Sequence, residues 1–140
     1  MRRTFFISFI VMVCLVLNGC SDNTVKKIKA DYFDIGLGQS FYNGYNKVEE
    51  ETVQSLVGAY NQIKYTGQTN LQINYDKAIT ITFVYNDQIS GVLVIDNKGV
   101  FHLRDGVEIY QIEPSDDMYE QALEVYNDLK RQNENSLDKQ

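Results

Sequence analysis

The stretch Ile79-Thr80-Ile81-Thr82-Phe83-Val84-Tyr85 constrains the fold of this chain more than any other. Ile79, Ile81, Phe83 and Tyr85 recur at period two and so share one face of an extended strand, with Thr80, Thr82 and Val84 on the other. A strand with one greasier face belongs to an antiparallel sheet laid against a core on that side. Shorter alternating runs at 71–75, 91–95, 100–104 and 107–112 surround it, separated by Asp87-Gln88, Asp96-Asn97-Lys98-Gly99 and Asp105-Gly106. Asp105-Gly106 is the strongest two-residue hairpin signal of the three. The middle of the chain therefore reads as an antiparallel meander.

Two segments follow the helical period instead. Val53, Leu56, Val57, Tyr60 and Ile63 form one apolar stripe, and the predicted helix spans roughly 47–65. Asn46 is the expected cap, Glu49 its capping-box partner, and Glu49, Glu50 and Glu51 oppose the positive end of the helix dipole. Lys64 suits the last turn and Gly67 the stop. After Pro114, Ser115 is a capping residue, Asp116 and Asp117 fill a first turn, and Tyr119, Ala122, Leu123, Tyr126 and Leu129 make a second stripe.

A further strand is expected over 25–33, with Ile28, Ala30 and Tyr32 inward and Lys27, Lys29 and Asp31 outward. Between it and the first helix, 36–45 mixes three glycines with three aromatics and reads as a loop. Both helical stripes need a surface to cover. The expected fold class is α+β: an antiparallel sheet of about five to six strands with two amphipathic helices packed on one face. This domain occupies 25–130, and the almost wholly polar residues 131–140 read as a flexible tail.

The first twenty residues follow different rules. Arg2 and Arg3 precede an apolar run from Phe5 to Leu17, which ends in Leu17-Asn18-Gly19-Cys20. Thirteen apolar-core residues fall short of the roughly 20 that cross a bilayer, so a cleaved leader fits better than a membrane-spanning helix. The segment resembles the signal of bacterial lipoproteins, with Leu17-Asn18-Gly19-Cys20 in the place of the lipobox. The resemblance implies that residues 1–19 are a signal peptide cut between Gly19 and Cys20. It also implies that the Cys20 sulfur carries a diacylglyceryl group, and that 20–24 is a short linker holding the domain within roughly 20 Å of the bilayer. One acyl chain binds only reversibly, at about 0.8 kcal/mol per buried methylene, whereas two anchor stably. The expected location is the extracytoplasmic face of a cell membrane. Ser21 follows Cys20 where an Asp would mark inner-membrane retention, and the wealth of Asn, Ile, Lys and Tyr resembles a low-GC Gram-positive proteome. In size and element order the mature domain resembles small Gram-positive lipoproteins of unknown function, a likeness that adds no activity.

Loss of the leader removes Arg2 and Arg3, leaving 11 basic against 19 acidic side chains and a net charge of −8. That average disfavours nucleic acid and anionic lipid as direct targets, no basic stripe being evident, and it admits a protein or a cationic peptide as partner. Cys14 leaves with the leader and Cys20 is capped, so the mature domain is expected to rely on its core without disulfides.

Chemistry-bearing motifs are sparse. His102 is the only histidine; it alternates with Phe101 and Leu103 and reads as a surface or cross-strand residue rather than a base. One histidine without a thiol makes zinc unfavourable, and no cofactor or metal is expected. Glu113, Asp116, Asp117 and Asp96-Asn97 supply oxygens without the order of a calcium loop, and read as caps and turns. Tyrosine stands out, with ten residues and no tryptophan. Tyr60, Tyr119 and Tyr126 fall on helix stripes, whereas Phe41, Tyr42 and Tyr45 lie in the glycine-punctuated loop where no periodicity demands burial. Those three are the candidate binding loop. The reading is a non-catalytic protein- or peptide-binding module; the alternatives are a small wall hydrolase using carboxylates and an accessory subunit of a membrane complex.

Overall fold

The computed structural model describes residues 23–104, 106–113 and 116–138. Gly19, Cys20, Asp105, Pro114 and Ser115, and with them the leader, the anchor and the Ser115 cap, lie outside the described residues. The order of elements is β1 (Tyr32–Leu37), β2 (Ser40–Asn43), α1 (Glu50–Asn61), β3 (Tyr65–Gln68), a 3₁₀ turn (Tyr75–Lys77), β4 (Ile79–Tyr85), β5 (Gln88–Ile95), β6 (Val100–Leu103), β7 (Tyr110–Ile112) and α2 (Met118–Leu137). The class is α+β. One antiparallel sheet holds seven strands in the order β2-β1-β4-β5-β6-β7-β3, rather than the five to six expected. The two outermost strands are only four residues each, too short to carry the apolar alternation by which a strand is read.

The alternation in β4 does set the two faces. Ile79, Ile81 and Phe83 are fully buried, and their cross-strand partners Leu37, Ile35 and Phe33 on one side and Ile95, Leu93 and Gly91 on the other continue that face. Against it lie Val53, Leu56, Val57 and Tyr60 of α1 and Met118, Ala122, Tyr126 and Leu129 of α2, in one apolar cluster with Phe101 and Ile112. Rings of Tyr60 and Phe33 meet Phe83 edge-on at 5.2 and 6.4 Å between centroids.

Several boundaries differ from the sequence reading. Residues 25–30 are extended but pair with no strand; β1 starts only at Tyr32. Val25, Ile28 and Ala30 still point into the core, and the Asn61 side chain replaces a strand partner. Its Oδ1 accepts the Ile28 N–H at 2.7 Å and its Nδ2 donates to the Ile28 carbonyl at 2.9 Å. Gly91 lies beneath this segment, where a Cβ would stand 2.9 Å from Ile28 Cδ1 and push that side chain aside.

The expected loop at 36–45 is largely a hairpin of β1 and β2 turning at Gly38, whose φ of 59° favours glycine. Asn46 does not cap α1: its φ is 55°, and Glu49 holds the cap position with no side-chain bond. The first helix ends at Asn61 rather than near 65. Ile63 is buried from the coil beyond it, which is why the apolar period overran the helix. Gly67, expected as the helix stop, sits inside β3.

The run at 71–75 is not a strand; Ile73 is buried with Ala78, Val94, Val100 and Ile109 in a small second cluster on the helix-free face. The β4–β5 turn falls on Asn86 and Asp87, both at positive φ as a two-residue hairpin of this type demands, one residue earlier than expected. No two-residue hairpin forms around Gly106, since β6 ends at Leu103 and β7 begins at Tyr110. Finally, α2 continues to Leu137, well into the expected polar tail, with residues 130–138 all exposed.

Candidate functional site

The part of the molecule least explained by folding is the open side of the β1–β2 hairpin. Because Phe33 and Ile35 face the helices, Tyr32, Asp34 and Gly36 face the other way, and their partners Asn43 and Phe41 in β2 follow them. Phe41 lies over Gly36, whose hypothetical Cβ would fall 2.4 Å from the ring, so glycine is what lets the aromatic lie flat on the sheet. Asn43 Nδ2 donates to Asp34 Oδ1 at 2.6 Å, and Asn43 Oδ1 accepts the Tyr45 N–H at 3.0 Å. Gly44 then donates to the Phe33 carbonyl at 2.9 Å, an approach that a Cβ at 2.5 Å from that oxygen would forbid. This backbone knot brings the Tyr45 ring edge-on to Tyr32 at 5.1 Å.

Phe41 and Tyr45 remain 62% and 57% exposed. Thr80 and Thr82 of β4 and Val92 of β5 extend the same surface across the sheet until the segment holding Ile73 and Ala78 roofs its far half. Tyr42 parts from its neighbours. It faces the helices, its ring 5.3 Å from Tyr126, and burial followed by the nearby Tyr126 raises its phenol above the ordinary range. Of the three expected binding residues, two are together on an open face with Tyr32 and one serves packing. Tyr32 was missed because alternation counted it among the inward residues of a strand displaced toward the N-terminus.

The roof is held by Asp96, 1% exposed. Its Oδ1 accepts the N–H groups of Lys98 and Val100 at 2.9 and 3.0 Å, and its Oδ2 accepts that of Asn74 at 3.0 Å. One carboxylate thus closes the β5–β6 turn and pins the 69–78 segment, a structural use of Asp96. His102 lies on the same helix-free face, half-buried opposite Val94, with Nδ1 2.8 Å from the Leu103 carbonyl oxygen.

A polar groove of about 480 Å³ lies between α1 and the start of α2, lined in part by Gln54, Gln62, Lys64, Glu113, Asp116 and Asp117. Asp116 Oδ1 accepts the Met118 N–H at 2.9 Å and Asp117 Oδ1 accepts from Gln121 Nε2 at 2.7 Å, so both carboxylates tie down the first turn of α2. Burial pushes the Asp116 carboxyl above its ordinary value, against the opposing pull of the Met118 N–H. Elsewhere Tyr110 donates to Glu108, a bond that, with burial, pushes its phenol up to about 12. Among the described residues no group of three or more His, Cys, Asp or Glu is placed to hold a metal ion, and no helix is long and apolar enough to cross a membrane.

These observations define an α+β domain whose helices cover one face of its sheet and whose other face carries a half-open aromatic surface. Comparison with protein-family models, with curated proteins and with solved structures gives no match to this chain.

Proposed function

We propose that this chain is an extracytoplasmic lipoprotein, held to its membrane through a diacylglyceryl group on Cys20, whose domain is a non-catalytic protein- or peptide-binding module. Its recognition surface is the helix-free side of the β1–β2 hairpin. The observation that carries this reading is the placing of Phe41 and Tyr45, both largely exposed, on one face of the hairpin, Phe41 over Gly36 and Tyr45 against Tyr32. Aromatic side chains offer large contact area at little entropic cost and are enriched where proteins bind, and a lone exposed ring needs no such explanation while a group fixed by a glycine-dependent knot does. The acidic balance of the mature chain favours a basic protein or cationic peptide as occupant, with Asp34 beside the rings.

The test is cross-linking on intact cells from a photoreactive residue at position 45, followed by mass spectrometry, with Cys20→Ala as the unanchored control. Reproducible recovery of one protein or peptide from the anchored chain supports the proposal. Recovery of only abundant surface proteins, equal in the control, refutes it.

A further inference from the structure

The two edges of the sheet are finished differently. At the β3 edge the ladder is irregular between Tyr65 and Gln68, and Gly67 stands at a φ of 107°. The chain itself covers the start of that strand: Thr24 bridges Lys64, and the Asn23 carbonyl accepts the Tyr65 N–H at 3.1 Å. The β2 edge has none of these devices. Ser40-Phe41-Tyr42-Asn43 carries no proline and no charge, its register against β1 is unbroken, and among the described residues no other strand pairs with it.

The ladder fixes which main-chain groups face outward there. Gly44 donates to the Phe33 carbonyl at 2.9 Å on the β2 side of β1, and Gly38 donates to the Ala78 carbonyl at 3.5 Å on the β4 side. Odd-numbered residues of β1 therefore bond toward β2 and even-numbered ones toward β4. Ile35 and Leu37 take the main-chain groups of Tyr42 and Ser40, so those of Phe41 and Asn43, opposite Gly36 and Asp34, point off the sheet. Both residues are exposed. The Phe41 ring lies back over Gly36, toward β1, and leaves the edge itself uncovered.

We propose that the partner of this domain is held as an extended peptide segment that adds to β2 as an eighth strand, bonding the main-chain groups of Phe41 and Asn43. The inference rests on the helix-free side of the hairpin being the recognition surface, and it names how the occupant is held there. In this mode main-chain bonds supply affinity and alternate side chains supply specificity. The peptide residue paired with Phe41 sends its side chain to the same helix-free face, so an apolar or aromatic residue other than proline is expected beside that ring. A second copy of this chain fits the edge less well. Two β2 strands would join four residues from each side, against the roughly 20–30 of a stable interface, and a copy paired antiparallel turns back at its own Gly38. A peptide instead runs on past Asn43 to the Tyr45 ring.

The experiment screens the full chain, purified in detergent, against an array of random ten-residue peptides. The tightest binders are carried into amide exchange, and are made again with N-methyl groups at alternate residues in each of the two phases. Expected is a tenfold or greater slowing of exchange at the Phe41 and Asn43 amides, with N-methylation costing at least tenfold in affinity in one phase and less than twofold in the other. Asn43→Pro should bind at least tenfold more weakly than Asn43→Ala, which loses the same side-chain bonds but keeps the N–H, thermal melts showing both variants folded. Binders that need Tyr45 yet slow neither amide and show no phase preference overturn strand addition while leaving the surface in place. Slowing at these amides that needs no peptide and rises with protein concentration gives the edge to a second copy, and overturns it as well. Binders that slow neither amide and ignore Tyr45→Ala, or an array without binders, remove the recognition surface itself and this inference with it.

Discussion

At the scale of single residues, buried charge is used here for construction. Asp96 accepts three main-chain N–H groups from two segments far apart in sequence, and each would be left without a partner inside the protein if the carboxylate were removed. Asp96→Ala is expected to lower unfolding free energy by about 3 kcal/mol, with Asp96→Asn losing roughly half as much, since the amide can still accept toward Lys98 and Val100 but turns a donor toward the Asn74 N–H. Urea denaturation of the three chains gives the ranking, and an Asn variant as damaged as the Ala one would contradict it. Asp116 behaves in the opposite sense. Its carboxyl is raised above the ordinary 3.8 chiefly by burial, so the folded state keeps the proton to higher pH than the unfolded chain does. The stabilisation from that proton is fully present below 3.8 and is lost as pH rises through the raised value. Asp116→Asn, which preserves an acceptor for the Met118 N–H, is therefore expected to match or exceed the native chain at pH 7 by no more than about 0.5 kcal/mol, this carboxyl being only partly buried. The difference should shrink on acidification through pH 4 in paired thermal melts; a gap that widens instead would show that the charge is favoured in the fold.

At the scale of elements, the N-terminal segment depends on one side chain in place of a ladder. Asn61→Ala removes both bonds to Ile28 and is expected to cost about 1–2 kcal/mol. Amide exchange should accelerate at Asp31, whose N–H bonds to the Val84 carbonyl at 2.8 Å, more than at the centres of β4 and β5. Uniform acceleration across the sheet would mean that the segment opens only with the whole domain. This arrangement also shows what sequence conveys and what it does not. The alternation of Ile28 and Ala30 reports correctly that those side chains are inward, but alternation cannot report whether a strand or an amide group satisfies the backbone beside them. In β4 the same signal gave both boundaries, because Ile79, Ile81 and Phe83 lie deep in the core with strands on either side. The outer strands β2 and β3 pair on one side only and bury little, so their residues carry propensity without pattern. Ile63 erred the other way, keeping the helical period while buried from the coil. The candidate surface was legible in Phe41 and Tyr45, whose position among glycines left them unclaimed by any core stripe, but its third member Tyr32 and the inward turn of Tyr42 depend on the register of β1 against β2, which no local signal fixes.

At the scale of the whole molecule, the sheet divides two tasks that the same residue type performs. Tyr42 and Tyr45 are three positions apart, yet one rests on Tyr126 beneath the hairpin and the other stands beside Tyr32 above it. Truncating each separates stability from recognition. Tyr42→Ala strips a half-buried ring of its aromatic neighbour in the helix layer and is expected to cost about 2 kcal/mol in unfolding free energy. Tyr45→Ala, alone or with Phe41→Ser, removes rings that are mostly in solvent and should change stability by no more than about 0.5 kcal/mol each. If the helix-free face is the recognition surface, capture of the partner on intact cells should fall at least tenfold in Tyr45→Ala while persisting in Tyr42→Ala at a temperature where that variant is folded. A retained partner in Tyr45→Ala together with its loss in Tyr42→Ala would move recognition to the helix-covered side. The two mutations thus test which face of the sheet binds, because Tyr42 and Tyr45 project to opposite sides of one hairpin.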